Sequence, residues 1–117
     1  MKQNNPFVIS NASTQHDIVT EEGNLSVWIK PLSWVQQQEA MSKFVDFNMV
    51  GEEIIPKLDF GGYWRFVIAT CITDTSPKLS KYDLVNLKPE VGKKISQLLP
   101  QLSDIMAAVG GEADPLG

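Results

Sequence analysis

The chain has 117 residues and a net charge of −4, from ten basic and fourteen acidic side chains. That length fits one domain with a core of its own, and the mixed charge leaves no basic stripe to follow a phosphate backbone, which argues against nucleic acid as the partner. A single cysteine, Cys71, excludes an intrachain disulfide and a cysteine-rich metal site.

Residues 1–24 are rich in Asn, Ser, Thr and Gln, with only "FVI" at 7–9 and "IV" at 18–19 apolar. Such a segment either stays loose or lies as an edge strand on the remainder. It shows no secretory signal pattern. The turn "EEGN" closes it at 21–24.

Leu25, Val27 and Ile29 then alternate with Ser26, Trp28 and Lys30, which is a strand signal. Pro31 ends the strand. Ser33 with Gln36 three residues later predicts a capping box. The helix that follows, "WVQQQEAMSKFVDF", would turn Trp34, Gln37, Met41, Phe44 and Val45 inward. On this reading Trp28 and Trp34 anchor a strand-to-helix corner in the core.

Residues 48–58, "NMVGEEIIPKL", join two helices as a loop or a short strand. Asp59 is the expected N-cap of a second helix. Phe60, Tyr63, Trp64, Val67, Ile68, Cys71 and Ile72 form its wide apolar stripe. Gly61 and Gly62 weaken the first turn, and they also permit close approach by a neighbour. "TDTSPKLS" at 73–80 reads as a loop, and a short helix capped by Ser80 follows. Pro89 suits the first turn of the next helix. Pro100 breaks the stripe of Ile95, Leu98, Leu99, Leu102, Ile105 and Met106, so a last helix is expected over 100–109.

The sum predicts a mainly α protein, a small helical domain with one or two short N-terminal strands. Its parts are a polar segment (1–24), a single helical domain (25–109) and a flexible acidic tail (110–117). No βαβ alternation is visible, which excludes Rossmann-like and barrel enzymes.

No catalytic constellation emerges. His16, the one histidine, lies in the polar N-terminal segment, and Cys71 lies within an apolar stripe with no His, Lys or Arg one turn away. Glu21–Glu22 and Glu52–Glu53 are adjacent pairs in turns, without the ligand spacing a cation needs. "VGKKIS" at 91–96 lacks the upstream glycine of a phosphate loop. "DFGGYW" shares only letters with the kinase triplet. The longest nearly apolar run, "FVIATCI" at 66–72, is too short to span a bilayer. The expectation is therefore a protein without enzyme activity, cofactor, metal or membrane span, working by binding or assembly. Lys30, Gln36, Gln37 and Glu39 are the candidate partner-facing residues, being polar, grouped at the corner and not needed by the core. The "QQQE" face at 36–39 suits solvent or self-association equally.

"LSVWIKPLSWVQQQEAMSKF", "YWRFVIATCITDTSP" and "LSKYDLVNLKPEVGKKISQLLPQLSDI" together resemble the phage tail assembly chaperones in their order of elements and residue types. The likeness covers roughly residues 25–109. It implies a small helical protein made in the host cytoplasm that binds the tape measure or tail tube protein during morphogenesis, with no cofactor. A structural subunit of a phage tail or baseplate is the alternative.

Overall fold

A computed structural model describes residues 5–111, with side-chain surroundings as far as residue 107. Ten elements follow one another: β1 (Thr14–Thr20), β2 (Gly23–Ile29), α1 (Trp34–Phe44), β3 (Val45–Val50), β4 (Glu53–Leu58), α2 (Phe60–Cys71), β5 (Ile72–Ser76), α3 (Lys81–Leu84), α4 (Pro89–Ser96) and α5 (Leu102–Gly111). The protein is mixed α/β, with five strands in two antiparallel sheets, and the expectation of a mainly α, helical domain is wrong.

The larger sheet has the order β1-β2-β5. β1 pairs with β2 from Thr14↔Ile29 to Thr20↔Gly23, so the Asn- and Thr-rich N-terminal part does supply an edge strand. β5, which reads as a loop in the sequence, adds to β2 with Val27 opposite Thr75 and Ile29 opposite Ile72. The inward face carries Ile18, Leu25, Val27, Ile29 and Ile72, all buried. Thr75 is the one buried polar residue among those described, and its Oγ1 accepts a hydrogen bond from the Leu79 N–H at 2.8 Å. On the outward face the Ser26 hydroxyl donates to the Asp17 carboxylate at 2.6 Å.

The core beneath the sheet is closed by Tyr63, Val67 and Cys71 of α2, Val91 and Ile95 of α4, and Leu102 and Ile105 of α5. Local chemistry sets the helix ends as the sequence predicts. Ser33 and Gln36 form a capping box on α1, Asp59 caps α2, Ser80 and Asp83 form a second box on α3, and Pro89 opens α4. Around Pro100 the chain breaks between α4 and α5. The Gln101 side-chain amide donates to the carbonyls of Ser96 and Leu99 at 2.6 and 2.8 Å, tying the end of α4 and the turn after it to the residue that precedes α5. Lys94 donates to the Val19 carbonyl at 2.7 Å and Lys88 pairs with Glu22 at 2.9 Å, which ties α4 to the β1–β2 hairpin.

Two aromatic assignments are corrected. Trp34 is 71% exposed and Phe60 is 52% exposed, so neither belongs to the core. Trp34 is the first residue of α1, and a helical side chain leans back toward the N-terminus. Its ring therefore stands largely in solvent, whereas Ala40, further along α1, is buried. From residue 110 onward the expected tail begins inside α5, and from residue 112 it lies outside the described residues.

Candidate protein-binding surface

The second sheet is the β3–β4 hairpin, inserted between α1 and α2. Its base is fixed to both helices. The Val45 N–H closes α1 on the Met41 carbonyl, and the Asp59 N–H donates to the Phe44 carbonyl at 2.9 Å. Its tip is a two-residue turn. Gly51 has φ +66°, and no described non-glycine residue has a positive φ, so the turn is of type II′, which demands glycine at its first central position.

The register sorts the side chains by face. Val45↔Leu58, Phe47↔Pro56 and Met49↔Ile54 lie on one side, and all six are apolar. Asp46↔Lys57, Asn48↔Ile55 and Val50↔Glu53 lie on the other. The apolar face begins in the core, where Val45 is buried and Leu58 half-buried. It then runs out uncovered, for every residue from 46 to 57 is exposed, with Met49 at 66% and Ile54 at 63%. The Cα radius of gyration of 16.8 Å exceeds the ~13 Å of a compact domain this size, as a projecting arm requires.

Two apolar grooves share Trp64 in their lining, and one of them lies at the foot of the arm. One, of about 360 Å³, is lined by Leu58, Phe60, Trp64, Leu102 and Met106, and so continues the apolar side of β4 onto α2 and α5. The other, of about 340 Å³, lies between α2, α3 and α4 and is lined by Ile68, Leu84, Leu87 and Leu99 as well as Trp64. An uncovered apolar surface of this extent is a binding surface or an aggregation hazard.

The residues singled out from the sequence sit elsewhere. Lys30 follows β2, half-buried, with its N–H on the Cys71 carbonyl. The Gln36 side chain is occupied by the capping box, accepting from the Ser33 N–H at 2.9 Å. Gln37 is half-buried, and Glu39 alone of the four is exposed. None of the four belongs to the hairpin, whose strands are Val45–Val50 and Glu53–Leu58. The signal for the hairpin's apolar face is the alternation of Val45, Phe47 and Met49, then Ile54, Pro56 and Leu58, around the Gly51 turn, which the helical reading of 34–47 obscures.

The ionisable groups show no assembled chemistry. Cys71 is buried, and burial pushes its thiol up to about 11, with Lys30 acting in the opposite direction. His16 faces Val27 across the sheet. Glu22 is held below the usual carboxylate range by its hydrogen bond from Lys88. Among the described residues no three His, Cys, Asp or Glu side chains group as a metal site, and no helix is long and apolar enough to cross a membrane. No protein-family model, no curated protein and no solved structure matches the chain.

Proposed function

We propose that this protein is a non-enzymatic binding protein whose working surface is the apolar side of the β3–β4 hairpin and the groove at its foot. The observation that carries this reading is the six-residue apolar face, anchored in the core at Val45 and uncovered at Met49 and Ile54. A partner that lays an apolar strand or helix on this face removes from water what the fold leaves in it.

The specific form we favour is the assembly-chaperone role that the resemblance implies, acting in the host cytoplasm on a tape measure or tail tube protein. The hairpin gives that role a physical means, a projecting arm that shields an apolar stretch of a long partner. The resemblance supports it through the order of elements and residue types, although residues 72–76, which it takes as the loop after the middle helix, form strand β5 here.

The test is co-expression with the tape measure and tube proteins of the genome that encodes the chain. The wild type should keep the tape measure protein soluble, and a Phe47→Lys, Ile54→Lys double variant should not, at unchanged thermal stability. Equal behaviour of the two removes this face from the function. Mass spectrometry of purified particles separates the roles, since a chaperone is absent from them and a tail or baseplate subunit is retained.

A further inference from the structure

The two outer edges of the β3–β4 hairpin are not equivalent. In a hairpin with a two-residue turn the closing pair, here Val50 and Glu53, exchanges its hydrogen bonds, and bonded and non-bonded pairs then alternate. Asp46↔Lys57 and Asn48↔Ile55 are thus bonded pairs, whereas Phe47↔Pro56 and Met49↔Ile54 turn their backbone groups outward. Pro56 fits this scheme because it has no N–H to offer the ladder. It also leaves the outer edge of β4 without a donor at its middle, next to Lys57, the two devices by which natural edges are blocked. The outer edge of β3 has neither. Phe47 and Met49 present free N–H and C=O groups there, and among the described residues no backbone hydrogen bond from outside the hairpin reaches them.

We infer that the outer edge of β3 pairs antiparallel with β3 of a second copy of this chain, joining two hairpins into one four-stranded sheet in the order β4-β3-β3-β4. Two observations select a second copy as the occupant. A two-stranded sheet is marginal by itself and needs a third or fourth strand, and all other described strands belong to the separate sheet. The edge is also self-complementary. With Asn48 on the two-fold axis, Phe47 meets Met49 of the copy on the apolar side and Asp46 meets Val50, so no like charges oppose each other. The Asn48 amides face one another. The apolar sides of both hairpins then form a single platform ~20 Å long and about as wide. This inference rests on the hairpin being the working surface, but not on which protein the platform receives.

The test is the oligomeric state by light scattering over a dilution series, with a matched pair of variants. Met49 and Ile54 face each other across the ladder, both exposed, each with its N–H directed outward on its own strand. The wild type should be a dimer. Met49→Pro should raise its dissociation constant at least tenfold, while Ile54→Pro leaves it within twofold. A second readout does not depend on how well a proline variant folds. Asn48→Cys should form an intermolecular disulfide under mild oxidation, since facing side chains of a non-bonded antiparallel pair approach closely enough for one. Lys57→Cys on the far strand should not, and the native Cys71 is buried and does not interfere. A wild type that stays monomeric at every concentration overturns the inference. So does a dimer weakened equally by both prolines, or one that Asn48→Cys fails to cross-link. Because Phe47 lies in the seam, Ile54→Lys alone, on the strand outside it, reads partner solubility and Met49→Pro reads dimerisation, so the two proposals fail separately.

Discussion

The Tyr63 hydroxyl donates a 2.6 Å hydrogen bond to the Pro100 carbonyl, joining the first turn of α2 to the break between α4 and α5. Tyr63 is completely buried, so the ring contributes as a core side chain and the hydroxyl fixes where the last helix departs. The ring also packs edge-on against Phe44 and Trp64, with centroids 6.2 and 5.2 Å away.

Tyr63→Phe keeps that packing and removes only the bond, which leaves a partly buried carbonyl without its donor. A loss of about 1–2 kcal/mol is expected in chemical denaturation. An unchanged midpoint would show that water replaces the hydroxyl freely.

Alkaline pH should unfold the protein through the same residue. Burial, chiefly, pushes the Tyr63 hydroxyl up to about 12 and the Cys71 thiol up to about 11, from ordinary values of 10.0 and 9.0. Both groups hold their protons more tightly folded than unfolded, so their contribution is complete below the unfolded values. It declines as pH rises through about 9–12. Thermal midpoints should be insensitive to these groups at pH 8 and fall steadily above pH 9. Cys71→Ala should flatten the start of that decline and Tyr63→Phe its end.

The sequence was legible where structure is decided within one turn of chain. Ser33 with Gln36, Asp59, Ser80 with Asp83, and Pro89 all do in the fold what their spacing predicts. The strand from Leu25 to Ile29 was legible because its alternation is strict, and the pairing with β1 extends it back to Gly23. For the N-terminal segment and for 48–58 the sequence fits a strand as well as a loose segment or loop, and only pairing decides between them. Phe44 and Val45 continue the period of α1, so the sequence predicts a helix as far as Phe47 where β3 already begins at Val45. β5 has the composition of a turn, and only its long-range pairing with β2 makes it a strand. The binding surface went unseen with the hairpin. Polar residues at the corner drew attention instead, because exposure of an apolar face has no local signature.

Trp34 separates these two kinds of legibility. If it anchored the corner in the core, Trp34→Ala would cost roughly 3–5 kcal/mol. With 71% of the residue exposed, the variant is expected within about 0.5 kcal/mol of wild type. A large loss would mean that the ring is covered in solution by a neighbouring molecule.

Gly61 and Gly62 look alike in the sequence but should respond oppositely to the same substitution. A Cβ at Gly61 would meet nothing nearer than 3.9 Å, whereas at Gly62 it would stand 2.8 Å from the Phe44 ring and 2.6 Å from an Asp59 carboxylate oxygen. Phe44 has little room to yield, being packed against Tyr63 and Phe66, and Asp59 is held by its cap bond to the Gly62 N–H. Gly62 thus lets α1 approach the first turn of α2, the close contact that a glycine pair there allows. Gly61→Ala should leave stability unchanged or raise it by up to about 1 kcal/mol through helix propensity. Gly62→Ala gains the same propensity but must displace a packed ring, and should lose about 1–3 kcal/mol net. Urea denaturation of the two single variants checks this, and equal midpoints would mean that α1 and α2 do not approach each other at Gly62.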